Sequence, residues 1–310
     1  MKDVFEHRAK LGGAGVEVSV SVVAESSDED RVPARVSIAE DGRIVELRLG
    51  DSVVARAEPE EIARRLDKVD LFNLSRVPLP AALPRSVPAS IVYRVRGLPP
   101  EFLKDDGRQS TVAASDGETV LTVSARLPAA TNPGQDAPRP APPILPLREF
   151  LEPTPEIDAD NPAIAKLARQ VVGDSRGLFA ASTRLVHFVY GRLEKVYGEN
   201  RDRASEVLRY GKGDCKEHTL LFVAMARPAG IPARGVHGLV FAEYGDRVPA
   251  LYWHAWAEVK VGDGWIAVDP TFDQPVADAT HITLGRGTQV DSVGLLGALA
   301  VVEARPKARP

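Results

Sequence analysis

The chain has 310 residues, 44% of them apolar and 26% charged, a composition ordinary for a soluble globular protein and enough for one large domain or two smaller ones. Its 39 basic and 43 acidic side chains leave a net charge of −4, which excludes a strongly basic nucleic-acid binder, and no apolar stretch approaches the roughly 20 residues of a membrane helix. A single cysteine, Cys215, excludes an internal disulfide and any multi-cysteine zinc site, so the thiol serves either packing or chemistry.

Residues 1–15 lack the apolar core of a secretory signal, and strand-like sequence starts soon after. The compartment is therefore open: cytoplasmic, or extracytoplasmic if a leader has been removed. From about residue 16 to 126 the pattern has period two. Val16, Val18, Val20 and Val22 alternate with polar residues, and further runs fall at 34–39, 43–49, 52–57, 89–95 and 119–125. Asp41-Gly42 and Asp116-Gly117 mark turns between them. Pro59–Phe72 is the one helical candidate in this half. Residues 1–127 are expected to form a mostly β N-terminal domain, a scaffold or binding module with no catalytic cluster. Prolines crowd residues 128–160, which read as a stiff linker.

From Asn161-Pro162, a cap followed by a first-turn proline, the period becomes 3.6. A first helix is expected with Ile164, Leu167, Ala168 and Val171 on one face, others over about 178–197 and 204–210, and another beginning at Cys215. Strands follow at 233–243, 251–261 and 264–270. Helices first and strands second predict an α+β domain over 161–303, with helices packed on an antiparallel sheet. Residues 304–310 read as a tail.

Chemistry concentrates in this second half. Asp214 and Glu217 are spaced as a capping box, which puts Cys215 in the first turn of a helix. The free N–H groups and the helix dipole there favour a thiolate and can later hold an oxyanion. The charge of Asp214 opposes this, so a nearby cation is required. His254 lies on a strand that turns back at Gly262-Asp263. A two-residue loop there sets His254 and Asp269 on one face as diagonal neighbours, within side-chain reach. A three-residue loop without a bulge sets them on opposite faces. Cys215, His254 and Asp269 are thus the parts of a thiol nucleophile, a general base and an orienting carboxylate.

At these residues the chain resembles the transglutaminase-like superfamily, papain-like thiol enzymes with circularly rearranged elements. Three blocks carry the resemblance: residues 204–236 with their Gly-Asp-Cys turn and Gly-Ile-Pro-Ala-Arg exit, HAWAEV at 254–259, and GWIAVDPTFDQPVADATHI at 264–282. The ending Asp278-Ala279-Thr280-His281-Ile282 and the region around Glu152–Leu167 look like a bacterial subgroup. The resemblance implies a papain-like, transglutaminase-core fold for 161–303, with Cys215 as nucleophile, His254 as base and Asp269 as third member. It implies acyl transfer from an amide through a thioester: a peptidase or amidase with water as acceptor, or a protein-glutamine transferase with an amine. The substrate would be a peptide or protein, with no nucleic acid and no membrane span. The residues point to no metal or organic cofactor, and no Asp/Asn-rich calcium loop is evident. Pro228, where relatives usually keep a helix-compatible residue, should shorten the Cys215 helix at its far end. The family's second oxyanion donor has no obvious counterpart.

Other readings are weaker. A binding or assembly protein with an idle Cys/His/Asp set fits less well while all three members are present. Gly173–Gly177 matches G-x-S-x-G, but a helix precedes it where that motif needs a strand. Cys215-x-x-His218 lacks a second ligand pair, and His218 is expected on the helix flank, solvated or hydrogen-bonded. His187 and His237 read as structural, and His281 as a surface residue or part of the cleft rim. Trp253, Trp256 and Trp265 divide between a substrate wall and the sheet core, with at least one in the core. Arg201, Arg203, Arg209 and Lys212 alternate with acids and read as a solvated face.

Overall fold

A computed structural model describes residues 7–12, 15–20, 34–39, 41–49, 53–57, 59–60, 75–84, 88–102, 104–114, 117–125, 145–198, 200–243, 248–287 and 298–307. Most of the helix expected at Pro59–Phe72, and the core of the proline-rich linker, lie outside these residues. The chain divides into two compact units, Met1–Leu74 with Asp291–Ala298, and Ser75–Val290 with Leu299–Pro310.

In the first unit β1 (His7–Gly12), β2 (Gly15–Val20), β3 (Ala34–Ile38), β4 (Ile44–Leu49) and β5 (Val53–Arg56) form an antiparallel meander in sequence order. The turn into β4 is built as the sequence predicts: Gly42 takes φ 83°, and the Asp41 carboxylate accepts from the Arg43 backbone N–H at 3.1 Å. This is the Asx-type turn that Asp-Gly favours.

The second unit opens with β6 (Val77–Pro78), then β7 (Ser90–Arg96), β8 (Gln109–Ala113) and β9 (Glu118–Ser124). Helices follow: α1 (Pro162–Val172) and α2 (Leu178–Arg192), then β10 (Glu194–Lys195), α3 (Ala204–Tyr210), β11 (Lys212–Gly213) and α4 (Cys215–Ala226). The chain then runs through β12 (Ala233–Ala242), β13 (Ala250–Val261), β14 (Gly264–Val268), β15 (Ile282–Arg286) and β16 (Ala300–Lys307). The architecture is α+β, and the N-terminal region is mostly strands. Residues 173–177 form the turn between α1 and α2, so the G-x-S-x-G match has no strand before it.

Two antiparallel sheets hold most of this unit's strands. One has the order β14-β13-β12-β15, with β6 pairing β13; the other has the order β16-β7-β9-β8. Compactness thus places the unit boundary at Leu74/Ser75 rather than within 128–160. Strands β7 to β9, expected with the N-terminal domain, pair with β16, and residues 304–307, expected as a tail, belong to that strand. The reason is hydrogen bonding, which the sequence pattern hides. β16 buries little beyond Val301, so its alternation is faint.

α4 is the centre of the core. All residues from Glu217 to Ala226 are buried, the mark of a helix enclosed on every side. Leu221, Phe222, Ala224 and Met225 are wholly buried, together with Leu185 and Val189 of α2 and Ala257 and Val259 of β13. Each of the Leu, Val, Phe and Met side chains among them contributes about 1.5–3 kcal/mol. Pro228 acts as expected: the α-helix ends at Ala226 and continues as one 3-10 turn, Arg227–Ala229. Burying α4 this deeply fixes its first residue, Cys215, at a rigid point beside the sheet.

Candidate active site

The start of α4 is a complete capping box. Asp214 Oδ1 accepts from the Lys216 N–H at 3.0 Å, and Glu217 Oε2 accepts from the Asp214 N–H at 2.9 Å. Glu217 is fully buried, and Oε1 also accepts from the Arg201 N–H at 3.1 Å. Burial first, then the neighbouring Asp214, raises its pKa. Gly213 permits this: a Cβ there would lie 2.3 Å from the Glu217 Cβ. Cys215 follows as the first helical residue, half-buried, on the wall of a cavity of about 310 Å3.

His254 lines the same cavity from β13. The β13–β14 hairpin has the two-residue loop Gly262-Asp263, with Val261 opposite Gly264 and Ala257 opposite Val268. Carried on, that register sets Trp256 against Asp269 and His254 against Thr271, the arrangement the shorter loop predicts. His254 Nε2 lies 2.8 Å from Asp269 Oδ2. The ring stacks on Phe272 at 4.8 Å between centroids and 9° between planes. With Nε2 engaged, Nδ1 remains for the Cys215 side. Burial acts to lower the His254 pKa, but the Asp269 charge, then Cys215, and hydrogen bonds to both outweigh it and push it up to about 10.

Asp269 is fully buried. Oδ1 accepts from the N–H of Thr271 at 2.7 Å and of Phe272 at 3.2 Å; Oδ2 faces His254 and, at 2.9 Å, His281 Nε2. Burial acts to raise its pKa, and the charge and hydrogen bond of His254, followed by those of His281, hold it well below the usual carboxylate range instead. A carboxylate with this many donors stays ionised.

His281 is a correction to the expected surface or rim position: it is fully buried. Nδ1 lies 3.2 Å from Asp278 Oδ1. Asp278 also accepts from Thr280 N and Oγ1 and from Gln274 Nε2. Behind this loop Arg108, from the residues just before β8, donates to the carbonyls of His281 at 2.6 Å and Asp278 at 2.5 Å. Gln109 pairs side chain to backbone with Thr283, donating to its O and accepting from its N, both at 2.9 Å. Neither Arg108 nor Gln109 was singled out from sequence. Their partners lie more than 160 residues away, and no local pattern links them.

Of the other histidines in this unit, His237 lines the cavity with Cys215 and His254, whereas His218 and His187 do not. His218 is buried and takes the hydrogen-bonded of its two expected states: its Nδ1 donates to the Asp214 carbonyl at 2.7 Å. Burial lowers its pKa, and it does not line the cavity with Cys215. Exposed His187 meets Asp273 at 2.5 Å. The tryptophans divide. Trp256 is wholly buried, Trp253 lines the cavity, and Trp265 packs edge-on to Phe150 with Arg234 over its ring.

Among the described residues, His254, Asp269 and His281 are the one group whose possible metal-ligand atoms lie together, within 4.8 Å. Both ring nitrogens sit at hydrogen-bonding distance from one carboxylate oxygen, so these atoms already satisfy one another. The group is bonded as an acid–base chain rather than as an open coordination site.

Residues 165–270, which include Cys215, His254 and Asp269, match the profile of the Transglutaminase-like superfamily. This segment is therefore a transglutaminase-like domain. No curated protein matches the chain. Three solved structures show a distant likeness. A candidate cysteine protease from Cytophaga hutchinsonii is 16% identical, covering 71% of this chain and 83% of its own, with a TM-score of 0.48. The periplasmic domain of TgpA from Pseudomonas aeruginosa is 17% identical, with coverages of 66% and 91% and a TM-score of 0.35. Red sea bream transglutaminase is 13% identical, with coverages of 62% and 48% and a TM-score of 0.35. Identities this low say nothing of activity. No helix among the described residues is long and apolar enough to cross a membrane.

Proposed function

We propose that the chain is a cysteine-dependent acyl-transfer enzyme acting on amide bonds, with Cys215 as nucleophile, His254 as general acid–base and Asp269 as the orienting carboxylate. The observation that carries this is a thiol at a helix start sharing one cavity with an imidazole whose far nitrogen is held by a buried carboxylate. The Cys215 thiolate attacks the amide carbonyl carbon, and the developing oxyanion lies by the free N–H groups of the first turn of α4. The His254 imidazolium gives its proton to the leaving amine as the C–N bond breaks, leaving a thioester on Cys215. Water or a second amine then attacks the thioester, His254 takes its proton, and the thiolate leaves. Water makes the enzyme a peptidase or amidase; an amine makes it a transferase that can link glutamine side chains. Asp269 keeps the imidazole in one tautomer and orientation.

The test is to incubate the protein with a peptide mixture, quench in acid and weigh Cys215-containing fragments by mass spectrometry. An acyl adduct on Cys215, absent from the Cys215→Ala protein together with all turnover, is expected. Turnover that survives in Cys215→Ala would end the thiol mechanism, and a protein that never acylates points to a binding role instead.

A further inference from the structure

His281 takes no part in the proposed steps, yet it bonds the same Asp269 oxygen as His254, at 2.9 Å against 2.8 Å. We infer that His281 is a positioning residue of the thiol site: its Nε2 fixes the Asp269 carboxylate while Asp278 fixes its Nδ1. This rests on the proposed roles of Cys215, His254 and Asp269.

Geometry sets its task. His281 is fully buried, so it does not touch substrate and acts only through its neighbours. Both ring nitrogens face carboxylate oxygens, which can only accept, so both are placed to donate. Its ring stands edge-on to Trp256 at 5.2 Å between centroids and 80° between planes, which limits rotation. The Thr271 and Phe272 N–H groups hold Asp269 Oδ1. His281 gives Oδ2 a second donor, so the carboxylate cannot swing away from His254. The charged groups facing His281 are Asp269 after β14, His254 on β13, Asp278 on its own loop, and Arg108 before β8, whose guanidinium bonds the backbone of that loop. The arrangement is a chain of four side chains, His254–Asp269–His281–Asp278, with the thiol at its open end.

Two variants separate positioning from packing. In His281→Gln the longer amide still reaches Asp269; in His281→Asn the shorter one meets Asp278 alone. Iodoacetamide labelling of Cys215 is followed from pH 5 to 9 in the full chain, alongside thermal melting. Wild type and His281→Gln should label alike, and faster at pH 6 than a free cysteine peptide. His281→Asn should label about tenfold more slowly at pH 6, with a smaller loss at pH 9, the size expected when a hydrogen bond to a charged group is removed. A lower melting temperature with an unchanged rate profile in His281→Asn overturns the inference and leaves the thiol reading standing. A wild-type rate at pH 6 no faster than the peptide overturns both. Should His281→Asn not fold, nitrogen NMR of the wild-type imidazoles decides: alkylating Cys215 shifts the His281 Nε2 signal if the chain is coupled, and an unmoved signal overturns the inference.

Discussion

At the scale of single residues, the site works by opposing burial with charge. His254 and Asp269 are both buried, and burial alone would neutralise each; pairing keeps both ionised. His254 is raised to about 10, so its charged ring stabilises the fold fully below its ordinary value of about 6.5, and that contribution is lost as pH rises through about 10. Asp269 is depressed, so its contribution is present above its ordinary value of about 3.8 and is lost as pH falls toward its lower folded value. Replacing Asp269 by Asn keeps the shape and removes the charge. Asp269→Asn is expected to fold, to lose turnover by about 10³-fold or more through the wrong tautomer, and to lose part of the wild type's fall in urea midpoint between pH 7 and 10. Near-normal turnover in this variant would make Asp269 merely structural.

At the scale of elements, the start of α4 is the most constrained point. The approach of Gly213 to Glu217 leaves no room for a methyl group. Gly213→Ala should push Glu217 out of the capping box, cost at least about 1 kcal/mol of stability, the size of a lost cap, and slow labelling of Cys215. Unchanged melting and labelling would show that the box is dispensable. These local features were legible in the sequence. Asp214 and Glu217 announced the helix start, Asn161-Pro162 the start of α1, where the Asn161 side chain accepts from the Ala163 N–H at 3.0 Å, and Gly262-Asp263 the hairpin whose register brings His254 to Asp269. His281 was not legible as a buried group. A polar residue in a loop carries no periodicity to report its burial, and its partners Asp269 and Asp278 come from a fold the loop itself completes. β16 was missed for a related reason: charged and proline residues fill a strand that is mostly exposed.

At the scale of the whole molecule, the proline-rich segment is a conspicuous sequence boundary, yet hydrogen bonds from β8 and its preceding turn reach the 278–283 loop, and β16 returns to pair with β7. A fragment of residues 75–310 is therefore expected to fold and to label at Cys215 as the full chain does. A fragment of residues 161–310 leaves β16 unpaired and removes Arg108 and Gln109, and should aggregate or label like a free thiol; the opposite ranking would restore the boundary at the prolines. The proposed chemistry depends most on an activated sulfur beside a charged imidazole. The direct measurement is the second-order rate of iodoacetamide labelling of Cys215 in the intact protein at pH 6, against a free cysteine peptide whose thiol is almost wholly protonated there. A rate at least about tenfold above the peptide is predicted for a held thiolate, and a rate equal to or below it would contradict the ion pair on which the proposed chemistry stands.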